Sequence, residues 1–185
     1  MFATGQAGYR PSVAVAARNG LVSSPRAVAT FLTSVKPYLN EVTRSRAQWI
    51  RDIGVLLEDA RRQHASVVAQ GATRVGRAQV LIFREAHTRI AAIGPPVDCE
   101  VIHRAVLTWL DKQILACDVM VDVGMRGDLP RLREVQGLLA EGRFHAQKFN
   151  EEFVRLVTLV RAAARASGTR GRTNRATSPR SRGGR

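Results

Sequence analysis

Small and apolar residues recur at intervals of three and four between residue 50 and residue 93. Such spacing places them on one face of an α-helix, and this face is then buried in a core. His64 falls on the same face, so we expect it to be a core or boundary histidine. The positions of this stripe are Ile50, Ile53, Leu57, Ala60, His64, Val67, Gly71, Val75, Ala78, Ile82, Ala86, Ile90 and Ile93.

Residues that start or stop helices bound the first two predicted elements. Ser24 and Pro25 favour a helix start, because serine caps helices and proline fits their first turn. Pro37 predicts either a kink in this helix or the start of a new one, and Gly71 in the middle of the stripe predicts a break. The alternative is one continuous helix of roughly 80 Å, since the stripe keeps its phase through Gly71. The predicted ranges are residues 25–69 and 72–93.

Two further corners share one pattern, in which a glycine ends a helix and an aspartate follows it. Gly94, followed by two prolines, ends the second helix, and Gly127 ends the third. Asp98 and Asp128 are expected to cap the helices that come next. The last apolar stripe stops at Ala163. These helices are predicted over residues 98–126 and 129–166.

No segment alternates apolar and polar residues over the length of a strand, so the fold class is predicted to be all-α. Short corners between long helices indicate an antiparallel helical bundle. Residues 1–24 are basic and poor in large apolar side chains, and we interpret them as a disordered arm rather than a targeting peptide. Residues 167–185 hold no large apolar residue and are predicted to form a disordered tail.

The net charge of +14 is unevenly distributed along the chain. Residues 167–185 carry six arginines and no acidic residue, which suits contact with an anionic partner. Arg74 and Arg77, within a basic stretch of the second helix, are candidates for the same role. The arginines of the tail are Arg170, Arg172, Arg175, Arg180, Arg182 and Arg185.

A different explanation of the arginines remains open. Lys36, Lys112 and Lys148 are the only lysines among 29 basic residues. GC-rich coding enriches arginine wherever a basic residue is tolerated, so the tail could serve solubility alone. The arginines of the second helix could likewise pair with acids of the third.

One Glu-x-x-His, at Glu100 and His103, raises the question of a metal site. Di-metal bundles need two such motifs and two further glutamates, and the chain lacks that full set. Counting residues from the corners places His87, His103 and Glu152 at one level of the bundle, where they could bind a divalent metal. A buried histidine satisfied by one carboxylate is the alternative that we favour.

The remaining reactive or aromatic residues are expected to be structural. Cys99 and Cys117 lie too far apart on one helix to pair, so both should be small core residues. The acids of the third helix should form a solvated face paired with arginines of a neighbouring helix. The aromatic residues should fill the core rather than line a ligand cavity. These acids are Asp111, Asp118 and Asp122, and these aromatics are Trp49, Trp109, Phe83, Phe144, Phe149 and Phe153.

These patterns favour a non-enzymatic binding or adaptor protein whose basic tail contacts an anionic partner. The alternatives are a non-specific nucleic-acid-binding protein and, less favoured, a metal-binding bundle. A homodimer or a protein partner could cover the helical faces. No motif indicates a cofactor, no apolar run is long enough to span a membrane, and a cytoplasmic location is expected.

Overall fold

The computed structural model describes residues 21–173, and the side chains to residue 167. All four long elements are α-helices, and they follow one another in antiparallel order, as predicted for an all-α bundle. Single turns of 3₁₀ helix precede the third and fourth helices. The helices are α1 Pro25–Asp59, α2 Ala65–Ala91, α3 Glu100–Arg126 and α4 Leu132–Thr173, and the 3₁₀ turns are Val97–Cys99 and Leu129–Arg131.

The start of α1 agrees with the prediction. The Ser24 hydroxyl accepts a hydrogen bond from the Ala27 backbone N–H at 3.2 Å, and Pro25 occupies the first turn. The helix then passes through Pro37 without interruption of its assigned range. Pro37 is therefore an internal position of α1 and does not begin a new helix.

The predicted break at Gly71 is wrong, because the first corner lies at residues 60–64. His64 caps α2: its Nδ1 accepts a hydrogen bond from the Ser66 N–H at 3.4 Å. His64 and Val67 are exposed rather than part of the core. Gly71 lies inside α2, where a Cβ would come within 2.9 Å of the Leu56 side chain. The glycine thus permits close helix packing and does not turn the chain.

Asp98 does not cap α3 as predicted. Its carboxylate accepts hydrogen bonds from the backbone N–H groups of Val22, at 3.2 Å, and Ser23, at 2.6 Å. Residues 21–24, which were predicted to belong to a disordered arm, are therefore held against the start of α3. The rest of that predicted arm, residues 1–20, lies outside the described part of the chain.

At the corner between α3 and α4, Gly127 agrees with the prediction and Asp128 does not. Gly127 ends α3 in the left-handed conformation, with φ of 74°. Asp128 makes no side-chain capping bond. α4 continues to Thr173, past the boundary predicted at residue 166, so the first part of the predicted disordered tail is helical. Residues 174–185 of that tail lie outside the described residues.

α3 lies at the centre of the bundle and contributes many of its fully buried side chains, including Ile102, Leu110 and Met120. It packs against both α2 and α4. At Gly124 the backbone of α3 approaches α2 so closely that a Cβ would overlap the Ala69 carbonyl oxygen and Thr73. Within residues 21–173, no helix has an apolar stretch that would allow it to cross a membrane.

Candidate binding surfaces

The structure does not bring the three predicted metal ligands together. The His103 Nε2 donates to the Ile90 carbonyl oxygen at 3.0 Å, and the His87 Nε2 lies 3.2 Å from Asp111. Glu152 accepts from the Arg155 Nε at 2.7 Å. Among the described residues, no three His, Cys, Asp or Glu side chains are placed to hold a metal ion. His103 instead has the structural role of a half-buried histidine, although a carbonyl rather than a carboxylate satisfies it.

The acids of α3 are ion-paired, but only Asp118 has the predicted partner, an arginine of a neighbouring helix. Asp118 accepts a two-point contact from Arg84 of α2, at 2.8 and 2.9 Å. Asp122 pairs instead with Arg126 of α3 itself and with Arg131 of the 3₁₀ turn before α4. Asp111 differs slightly from the expectation, because its partner is His87 rather than an arginine.

These and other ion pairs neutralise most of the basic stretch between Arg61 and Arg89. Arg61 and Arg62 both pair with Glu58, and Arg89 pairs with Glu85. Arg74 and Arg77, the two residues that were predicted to bind an anionic partner, form no ion pair within the described part of the chain. The Arg77 Nη2 instead lies 3.9 Å from the Met125 sulfur. Within this stretch, Arg74 and Arg77 are therefore the two described arginines without an ion pair.

The first tail arginines continue α4. Arg170 and Arg172 lie within the range of this helix, and their side chains are outside the described part. The four remaining predicted residues lie beyond the described backbone; they are Arg175, Arg180, Arg182 and Arg185. No acidic residue follows Glu152 in the sequence. The C-terminal end of α4 thus leads into a segment with one sign of charge.

Both thiols are buried and free, as predicted. Burial, reinforced by the negative charge of Asp98, raises the pKa of Cys99 to about 11. Burial, together with the charge of Asp118, raises the pKa of Cys117 still further. A thiol acts as a nucleophile or metal ligand only when it is ionised, so these cysteines are core residues.

An open groove separates α1 from α4 over much of their length. We call it the α1–α4 groove; it comprises two adjoining cavities of about 490 and 340 Å³ that share Leu39, Phe149 and Asn150. The six aromatic residues that were predicted to fill the core have different positions. Trp49, Phe83 and Trp109 are buried, and Trp49 and Phe83 pack edge to face at 5.3 Å. Trp109 also lines the groove, together with Phe149 and Phe153. The expectation is therefore wrong for Phe153 and for Phe144, which is exposed.

The charged residues that line the α1–α4 groove are all basic. Lys36 and Arg161 line the larger cavity, and Arg46 lines the smaller one. No aspartate, glutamate, cysteine or histidine is among the residues that line these two cavities. This composition suits the binding of an anionic, partly apolar ligand and offers no acid–base pair for catalysis.

Arg46 is held in place by a buried polar contact. Its Nε donates to the Oε1 of Gln113 at 2.9 Å, and Gln113 is completely buried. Gly142 of α4 makes room for the Gln113 amide, because a Cβ there would lie 2.7 Å from its Nε2. Burial, followed by repulsion from the charge of Arg143, lowers the pKa of Arg46. Neither arginine forms an ion pair with a described residue.

Sequence reasoning missed Arg46 and Gln113, although a signal was present. Val42, Arg46, Trp49 and Ile53 follow one another at intervals of four and three, which places a charged residue on an apolar face. Leu110, Gln113 and Cys117 repeat this pattern on α3. A polar residue at a core position needs a hydrogen-bond partner. Arg46 supplies one for the Gln113 Oε1, whereas the buried Gln113 Nε2 has no hydrogen-bond partner among the described residues.

Comparisons with protein-family models, with curated proteins and with solved structures found no match to this chain.

Proposed function

We propose that this protein is a non-enzymatic binding module that attaches to a polyanion through the arginines of its C-terminal end. The observation that carries the proposal is the absence of acidic residues after Glu152, while α4 continues as a helix to Thr173. Inside the bundle, by contrast, arginines such as Arg84 and Arg131 are matched by carboxylates. The tail arginines have no acid near them in sequence to neutralise them.

Guanidinium groups favour phosphate and carboxylate groups, because their planar donors can contact two oxygens at once. A segment with several arginines and no aromatic residue follows an anionic backbone without stacking on bases. Binding should therefore be weakly selective and sensitive to salt, since its free energy comes largely from the release of counterions. Nucleic acid is the second, more specific candidate, because its regular phosphates present the densest such backbone.

A charge-removal variant of the full chain tests the proposal. All six tail arginines, from Arg170 to Arg185, are changed to glutamine, and affinity for a short DNA duplex, a single strand and polyglutamate is measured at about 50 mM salt. We expect the variant to lose at least a hundredfold in affinity, because 6–10 phosphate contacts make binding depend steeply on charge. Polyglutamate binding equal to that of DNA would favour a general polyanion over nucleic acid.

A control variant with the same charge separates the tail from the overall charge. It changes six exposed arginines of α1, α2 and their corner to glutamine, where ion pairs contribute little to stability. We expect this control to keep most of the wild-type affinity. Equal losses in both variants, or no binding by the wild type, would refute the role of the tail. The control positions are Arg26, Arg44, Arg51, Arg61, Arg62 and Arg89.

A further inference from the structure

The α1–α4 groove has the size and lining of a ligand site. Its two cavities, of about 490 and 340 Å³, fall within the range of roughly 300–1,000 Å³ that is typical of small-molecule sites. From Arg46 to Leu32 on α1 the groove extends over about 20 Å, at the helical rise of 1.5 Å per residue. Apolar side chains line it throughout this length. They include Leu32, Leu39, Phe149, Phe153, Val157 and Val160.

One end of the groove carries an arginine that can bind an anion. Arg46 lines the smaller cavity, and its Nε is already engaged by Gln113. This contact does not use the two terminal nitrogens of Arg46. Together they can hold a carboxylate by two parallel hydrogen bonds. Arg46 forms no ion pair with a described carboxylate. An anion bound to its terminal nitrogens would compensate this charge at the end of the groove.

The length of the apolar part of the groove favours one extended hydrocarbon chain as its ligand. Half of the hydrocarbon thickness of a bilayer, about 15 Å, is the length that one acyl chain occupies in a membrane. The groove is long enough for such a chain, and each buried methylene contributes about 0.8 kcal/mol in transfer from water. If a second copy of this protein docked groove to groove, the basic residues Arg46, Lys36 and Arg161 of the two copies would face each other. Their like charges would oppose such a dimer.

We propose that the α1–α4 groove binds a long-chain fatty acid. The carboxylate contacts the terminal nitrogens of Arg46, and the hydrocarbon chain runs past Leu39 and Phe149 towards Val160. This site is separate from the tail arginines and does not depend on the proposed polyanion contact.

Calorimetric titration of the full chain with palmitate, below its critical micelle concentration, tests this assignment. Hexadecanol provides the same chain without the charge, and hexadecyl phosphate provides a different anion. We expect one palmitate per chain, and at least tenfold weaker binding of hexadecanol. Tighter binding of hexadecyl phosphate than of palmitate would overturn the choice of a carboxylate, and no binding of palmitate would overturn the proposal.

Two substitutions on α1 provide a matched pair. Arg46→Gln removes the charge at the head of the groove but keeps an amide that can donate to Gln113. Arg44→Gln removes the same charge from an exposed position of the same helix. We expect R46Q to weaken palmitate binding at least tenfold and to leave hexadecanol binding unchanged, which also shows that the groove is intact. R44Q should bind palmitate as the wild type does.

Two further results would overturn the proposal. Equal effects of R46Q and R44Q would show that the charge at Arg46 does not hold the ligand. A wild-type chain that ignores palmitate but binds a glutamate-rich amphipathic helical peptide, in a manner that R46Q abolishes, would replace the lipid by a protein partner. The tail variant with six glutamines should keep wild-type palmitate binding, so failure of the polyanion proposal is distinguishable from failure of this one.

Discussion

Asp98 connects two parts of the chain that are far apart in sequence. Its carboxylate accepts from the Val22 and Ser23 N–H groups, and thereby fixes the chain just before α1 against the turn that precedes α3. Asp128 occupies the corresponding place at the next corner, yet it is exposed and makes no capping bond. Two residues with the same local sequence pattern therefore have different structural roles.

These two aspartates give a matched pair of substitutions. We expect Asp98→Ala to lower the free energy of unfolding by about 1–2 kcal/mol, the range for losing a charged acceptor of backbone N–H groups. Asp128→Ala should change it by less than about 0.5 kcal/mol, as is usual for an exposed residue without a specific contact. Urea denaturation at pH 7 measures both. A loss at Asp98 no greater than that at Asp128 would show that the hydrogen bonds of Asp98 do not stabilise the fold.

The effect of Asp98 should depend on pH. Partial burial opposes ionisation, but the hydrogen bonds from Ser23 and Val22, with the charge of Arg155, outweigh it and lower the pKa of Asp98. A carboxyl whose pKa is lowered on folding stabilises the protein above its unfolded pKa of about 4. This contribution is lost as the pH falls through the folded pKa. The difference between the wild type and D98A should therefore shrink below about pH 4, and a difference that grows there would contradict this account.

The two cysteines should be unreactive while the protein is folded. With its pKa raised to about 11, Cys99 is ionised in on the order of one molecule in a thousand at pH 8, and Cys117 is ionised even less. We expect Ellman's reagent at pH 8 to label neither thiol within the time that labels both in urea. Rapid labelling of one thiol in the native protein would show that its surroundings open readily. The buried positions of both residues were predictable from their apolar neighbours.

At the scale of the elements, close helix contacts depend on particular glycines. Gly124 lets α3 approach the backbone of α2, whereas a Cβ at Gly137 of α4 would meet open space. Both lie inside helices, where alanine is intrinsically favoured over glycine by about 1 kcal/mol. Substitution should therefore have opposite effects at the two positions.

We expect Gly124→Ala to destabilise the protein by about 1–3 kcal/mol, because the Ala69 carbonyl oxygen belongs to the backbone and cannot move aside cheaply. Gly137→Ala should instead stabilise it by up to about 1 kcal/mol. Midpoints of urea denaturation provide the comparison. A stable G124A would show that α2 and α3 are farther apart than the structure places them.

The helices themselves were largely predictable, since the intervals of three and four fixed their class and the glycine at position 127 fixed one end. The first corner was not predictable, because residues 60–63 contain neither glycine nor proline and the cap is a histidine. Gly71 misled the prediction because the same residue type serves turns and close packing. Tertiary contacts with Leu56 decide between these roles, and they are not visible in the local sequence.

At the scale of the whole molecule, the prediction of an antiparallel all-α bundle is confirmed, and the proposed functions lie at its periphery. The basic tail was visible as composition, whereas the α1–α4 groove was not. A groove arises from the distance between two helices that lie at opposite ends of the sequence, and residue spacing does not report that distance. The proposed metal cluster failed for a related reason: matching levels along helices does not orient side chains towards one another.

Binding of a polyanion by the tail arginines is tested most directly by the salt dependence of duplex binding. Affinity of the full chain is measured between about 50 and 200 mM salt and plotted as log affinity against log salt concentration. Six arginines in contact with phosphates predict a slope of about −5, and the tail variant with six glutamines should lose most of that slope. A slope near zero for the wild type, or the same slope for both proteins, would contradict the claim.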